Sequence, residues 1–127
     1  MQRAIEIFAA VNFIVIALSH ILQPRAWVDF FIALREKGHA GVFANAMLSL
    51  LVGSIIVSFH NVWTGLPTVL TVVGWAQVLK GTIHLTVPSI GARGLARVSV
   101  ERSWEFAAAG AVLLAIGLLQ VYIVLRS

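Results

Sequence analysis

Cysteine is absent from this chain of 127 residues, which excludes disulfides, thiolate metal sites and a cysteine nucleophile. Asp29 is the only aspartate, and Glu6, Glu36, Glu101 and Glu105 complete the carboxylates, so paired-aspartate chemistry has no raw material. Charge is scarce altogether: Asp, Glu, Lys and Arg make up 11% of the residues and hydrophobic residues 60%, a balance that belongs to membrane proteins and not to soluble ones. The formal net charge of +4 does not point to nucleic acid, because the basic residues sit in short loops between apolar spans and form no stripe or run. No nucleophile elbow, phosphate loop or HExxH pattern occurs. Ser19 beside His20 is no dyad either, since neighbours on a helix point about 100° apart. An enzyme is therefore not the expectation.

What is present in quantity is apolar sequence, in four runs. Residues 4–22, 42–59, 66–87 and 104–125 are each long enough to cross a hydrocarbon core of roughly 30 Å at about 1.5 Å per residue. Arg3 before the first run gives it some likeness to a signal peptide, but no small-residue cleavage site follows it. Pro24 and Pro88 stop the first and third runs, and Pro67 sits where a first-turn proline is tolerated.

Between the first two runs Trp27, Phe30, Phe31 and Leu34 recur at helical spacing, and Arg35, Glu36 and Lys37 follow. This predicts a short amphipathic helix in the membrane interface, ending near Gly38. Residues 89–103 read as a loop, flexible where Gly91 and Gly94 fall. The fourth run carries Ala107, Ala111 and Ala115 at small-xxx-small spacing, which predicts that this face packs on another helix. The fold class expected is thus all-α and integral to a membrane: a four-transmembrane-helix bundle with one interfacial amphipathic helix between spans one and two.

Arg25, Arg35, Lys37, Arg93, Arg97 and Arg102 fall in the two longer loops, against Arg3 and Arg126 at the opposite ends of the spans. The positive-inside rule then makes those loops cytoplasmic and both termini external, in a membrane such as the bacterial inner membrane. Sliding the chain on itself by 64 residues superposes His20 on His84, Pro24 on Pro88 and Gly53 on Gly117. Each half then reads as a hairpin, and the two run in the same direction.

The polar residues inside the greasy spans single out one region. Gln77, Lys80 and His84 share a face of the third span, with Gly74 and Gly81 on the same side to allow close backbone approach. His20 from the first span, Asn45 from the second and Glu105 at the start of the fourth belong to the same end. Together these six form a candidate ligand or ion pathway, in which Lys80 either snorkels to the headgroups, pairs with Glu105 or meets an anionic ligand. Glu6, His60 and Gln120 make a looser set at the opposite end, read as capping and headgroup contacts.

The functional expectation is a polar intramembrane site or pathway for protons, ions or a small anionic solute. The alternative is a non-catalytic subunit or scaffold of a larger membrane complex, and both readings admit a homo-oligomer or a partner membrane subunit in the bilayer. A lesser alternative is an electron carrier in which His20 and His84 ligate a haem b from two helices. No other cofactor or metal is expected, since third and fourth zinc ligands are not evident.

Overall fold

The computed structural model describes residues 2–126, and every regular element among them is a helix. Its order is α1 (Gln2–Leu22), α2 (Pro24–Glu36), α3 (His39–Phe59), α4 (Thr68–Thr86), α5 (Pro88–Ala96), a short 3₁₀ turn (Val100–Arg102) and α6 (Trp104–Arg126). Proline opens both short helices, at the position where its missing N–H leaves nothing unbonded. Gly38 turns the chain from α2 into α3 with φ of 61°, a backbone state that favours glycine. At the opposite end the 60–67 loop is tied down by Asn61, whose Oδ1 accepts from the indole N–H groups of Trp63 and Trp75 at 3.0 and 3.2 Å.

Among the described residues three stretches are long and apolar enough to cross a membrane: Gln2–Leu22, His39–Phe59, and Val100–Arg126, which joins the 3₁₀ turn to α6. The expectation of four such stretches is met only in part. α4 forms over 19 residues but carries Gln77, Lys80 and His84, which lower its mean hydropathy. Aliphatic side chains line the outside of the bundle, among them Val11, Val15, Met47, Leu51, Leu118 and Leu125, all exposed. Such an apolar outer surface suits lipid and not water.

The helices assemble as two antiparallel pairs, α1 with α6 and α3 with α4. Glycine sets both seams. A Cβ at Gly53 would meet the backbone of Val78 and the side chain of Gln77, and one at Gly117 would meet Ile14 and Phe13. Likewise Gly81 abuts Ala46, and Gly110 abuts Ala17. Each of these contacts is carried onto the other by the 64-residue shift, which also exchanges α1 with α4, α2 with α5 and α3 with α6. The two halves are therefore pseudosymmetric in contacts as well as in element order. The core between the pairs is apolar: Ile5, Ala9, Phe13, Ile56 and Leu70, with Val52 and Ile116 packed against them.

Two local expectations are corrected. Residues 88–96 are the helix α5 and not a flexible loop, because Gly91 lets α5 lie close on α3 and α4, where a Cβ would press on Val42 and His84. Ala111 and Ala115 face outward, and α6 packs instead through Gly110 and Gly117, which lie on a different face.

Candidate functional site

At the end of the bundle where the basic loops gather, α2 and α5 lie across the four long helices. Arg35 of α2 joins them, donating from Nη1 to the carbonyls of Leu95 and Val98 at 3.4 and 3.0 Å, at the end of α5 and in the turn after it. Aromatic rings fill the α2 side. Trp27 stacks on His20 at 4.1 Å between ring centres and donates its indole N–H to Ser19 Oγ at 2.8 Å. Phe106 of α6 stands 6.0 Å from His20 and stacks on Phe31 at 5.5 Å.

On the α5 side the interior opens instead. Asn45 of α3 and Lys80 and His84 of α4 line one cleft of about 200 Å³, walled by Phe31, Gly91, Leu95 and Phe106. Lys80 and His84 are one turn apart on the same face, so both side chains reach the same space. A second cleft of about 250 Å³ adjoins it, sharing Gly94, Val98 and Phe106 as walls and adding Arg97, Arg102 and Glu105. There Glu105 Oε1 lies 3.7 Å from Arg97 Nη2, an exposed pair. The carboxylate thus sits with Arg97 and does not reach across to Lys80, because the turn before α6 places Arg97 over the start of that helix.

Of the six residues singled out from sequence, Asn45, Lys80 and His84 therefore meet on one cleft and Glu105 on its neighbour. Gln77 stands apart, its Cβ set against Gly53 in the α3/α4 seam. His20 is also apart, its ring covered by Trp27 and its Nδ1 2.8 Å from the Ile16 carbonyl. The two histidines thus occupy equivalent positions in unlike surroundings. The difference traces to three exchanges under the 64-residue shift: Gly91 stands where the surroundings of His20 have Trp27, Lys80 where they have Ile16, and Asn45 where they have Ala109.

The opposite end holds a polar cluster that the sequence reading placed at the surface. Glu6 and His60 are 2% and 1% exposed, and Thr71 and Gln120 are wholly buried. His60 Nε2 lies 3.0 Å from Glu6 Oε2, and its Nδ1 lies 3.1 Å from Thr71 Oγ1. Thr71 also accepts the backbone N–H of Val62 at 3.0 Å and stands 3.4 Å from the His60 carbonyl. The capping and headgroup reading is overturned for Glu6 and His60: the chain leaving α3 turns His60 inward, where Glu6 of α1 and Thr71 of α4 bond to its ring. Thr71 was missed, and its one sequence signal is a hydroxyl level with His60 across the α3/α4 seam.

Among the described residues no group of three or more His, Asp or Glu is placed to hold a metal ion. No protein family, curated protein or solved structure matches the chain.

Proposed function

We propose that the protein spans a membrane through α1, α3, α4 and α6, with α2 and α5 in the interface, and that the Asn45–Lys80–His84 cleft binds a small anionic solute. The pairing of α4 with α3 supports its role as a fourth span, and 19 residues reach about 28 Å. Lys80 lies near the end of α4, where insertion costs less than the roughly 2.5–3.5 kcal/mol of a mid-membrane lysine. By the positive-inside rule the α2 and α5 end is cytoplasmic and the chain termini are external.

The observation that carries the site is the exchange of Trp27 for Gly91 between the two halves. With tryptophan the first half closes over its histidine, and no charge stands nearby on α1 or α6 at the equivalent places. With glycine at the equivalent place, the His84 ring lines a cleft together with the Lys80 ammonium and the Asn45 amide of α3, three groups able to donate hydrogen bonds to one anion. Arg97 and Arg102 next door add to the positive potential that would draw it in. The rings of Phe31 and Phe106 and the side chain of Leu95 suit an anion with a small apolar body, such as a short-chain carboxylate. The hydrophobic cluster around Phe13, Ile56 and Leu70 fills much of the interior beyond the cleft, which favours a binding site over an open conducting pathway.

The test is calorimetric titration of the detergent-solubilised protein with butyrate, hexanoate and inorganic phosphate. Lys80→Met removes a charged hydrogen bond worth about 1.5–3 kcal/mol, so affinity should fall about 10- to 100-fold, and His84→Gln should weaken it less. Absence of binding by the wild type, or equal binding by both variants, would refute the assignment. Flux of the same anions into liposomes then separates binding from transport.

A further inference from the structure

We propose that Glu6, His60 and Thr71 form a buried site that takes up and releases one proton at the end of the bundle opposite the cleft. The site is independent of the anion reading, since it shares no residue with the cleft and lies at the other end of the helices. Three features of the geometry point to it. The imidazole and the carboxyl are both removed from water and bonded to each other at 3.0 Å, so any proton they exchange is held between two groups and not lost to solvent. The Thr71 hydroxyl has two acceptors within reach, His60 Nδ1 at 3.1 Å and the His60 carbonyl at 3.4 Å. Gln120, also wholly buried, has neither its amide oxygen nor its amide nitrogen bonded to protein, so the same end of the interior offers a polar berth for water.

The Thr71 hydroxyl is what allows two proton states without stranding a donor. In the first state His60 carries one hydrogen, on Nε2, and donates it to the Glu6 carboxylate. Bare Nδ1 accepts the Thr71 O–H, and the site as a whole bears one negative charge. In the second state a proton from water has bonded to Nδ1, which now donates to Thr71 Oγ1. The hydroxyl hydrogen then swings to the His60 carbonyl, while Oγ1 goes on accepting from Val62 N–H. The gained proton leaves the site neutral overall, whether the Nε2 hydrogen rests on the imidazole or passes to Oε2.

Few other charges bear on the site. α1 adds Arg3 one turn nearer its start, and α6 adds Arg126, which lies over the Tyr122 ring. α4 adds none at this end, and α3 contributes only through His60. Register in the α1/α6 seam, where Gly117 faces Phe13 and Ile14, places Gln120 about one turn deeper than Glu6. The 60–67 loop lies between the site and solvent at this end, and its Asn61, Trp63 and Thr64 are exposed.

The test follows ¹⁵N-histidine resonances of the full chain in nanodiscs as pH is varied. The triple variant His20→Gln, His39→Gln, His84→Gln leaves His60 as the sole histidine and makes the assignment direct. Nδ1 of His60 should gain and lose a proton in one reversible step while the protein stays folded. Glu6→Gln should displace that step, and Thr71→Val should displace it without removing the carboxylate. A His60 ring whose nitrogens do not change across the folded range would overturn the proposal, as would a step left in place by both variants. If Glu6→Gln does not fold, the near-isosteric Thr71→Val and the parent titration still decide.

Discussion

Adding one methyl group at each of three glycines should give three different answers. A Cβ at Gly53 would lie 2.6 Å from the Val78 backbone nitrogen and 2.7 Å from the Gly74 carbonyl oxygen. Neither can move without displacing α4, so Gly53→Ala sits at the upper end of the roughly 1–3 kcal/mol that overpacking costs. Alanine returns about 0.8–1 kcal/mol in helix propensity, leaving a net loss of about 2 kcal/mol. At Gly117, the equivalent place in the other half, the nearest atom is Ile14 Cγ1 at 2.8 Å, while the Ile14 nitrogen is 3.2 Å away. The Ile14 side chain can rotate aside, so an overpacking cost of about 1 kcal/mol and the propensity gain should nearly cancel. Gly94 has nothing within 4 Å of its Cβ position, and Gly94→Ala should stabilise by up to about 1 kcal/mol. Equilibrium unfolding in mixed detergent micelles gives the three values on one scale. Should Gly117→Ala cost as much as Gly53→Ala, or Gly94→Ala destabilise, the seam geometry argued here is wrong.

Two further expectations rest on single contacts. Arg35→Gln removes the donor that holds the Leu95 and Val98 carbonyls, at a cost of about 1–2 kcal/mol, and hydrogen exchange should quicken in α5 while α3 and α4 keep their protection. Ala111→Leu, on the outer face of α6, should leave the stability of the single chain within about 0.5 kcal/mol. Gly110→Leu should prevent the α1/α6 pair from forming, since even a Cβ there lies 2.9 Å from the Ala17 carbonyl oxygen. Comparing the two by circular dichroism and size exclusion in detergent checks which face of α6 packs.

The pseudosymmetry gives the cleft its physical meaning. Two halves with the same seams and the same short crossing helix differ where one has an indole and the other has no side chain. The indole stacks over the His20 ring, whereas the glycine lets the His84 ring line a cleft that Lys80 and Asn45 also line. The Glu6–His60 bond and the Arg35 bridge then tie the helix pairs together at opposite ends.

Much of this was legible in the sequence by itself, because it depends on interactions along one helix or on the balance of apolar and charged residues. Helix positions followed from run length and from Pro24, Pro88 and Gly38; α2 followed from the spacing of Trp27, Phe30, Phe31 and Leu34; the half-chain repeat showed in His20 and His84. Lys80 and His84 also had to share a face, since four residues make about one turn. Tertiary structure decided everything that depends on what stands across a seam. Helix propensity argued against α5, and close packing at Gly91 outweighed it. The small residues that pack α6 are Gly110 and Gly117, because only contact with α1 distinguishes that face from Ala111 and Ala115. Glu105 went to Arg97 because the turn before α6 brings them together, a geometry no spacing encodes. Glu6, His60 and Thr71 are distant in sequence, and a residue near the end of a span reads as exposed unless a neighbouring element folds over it. Burial is a property of the assembled bundle, and the chain alone does not carry it.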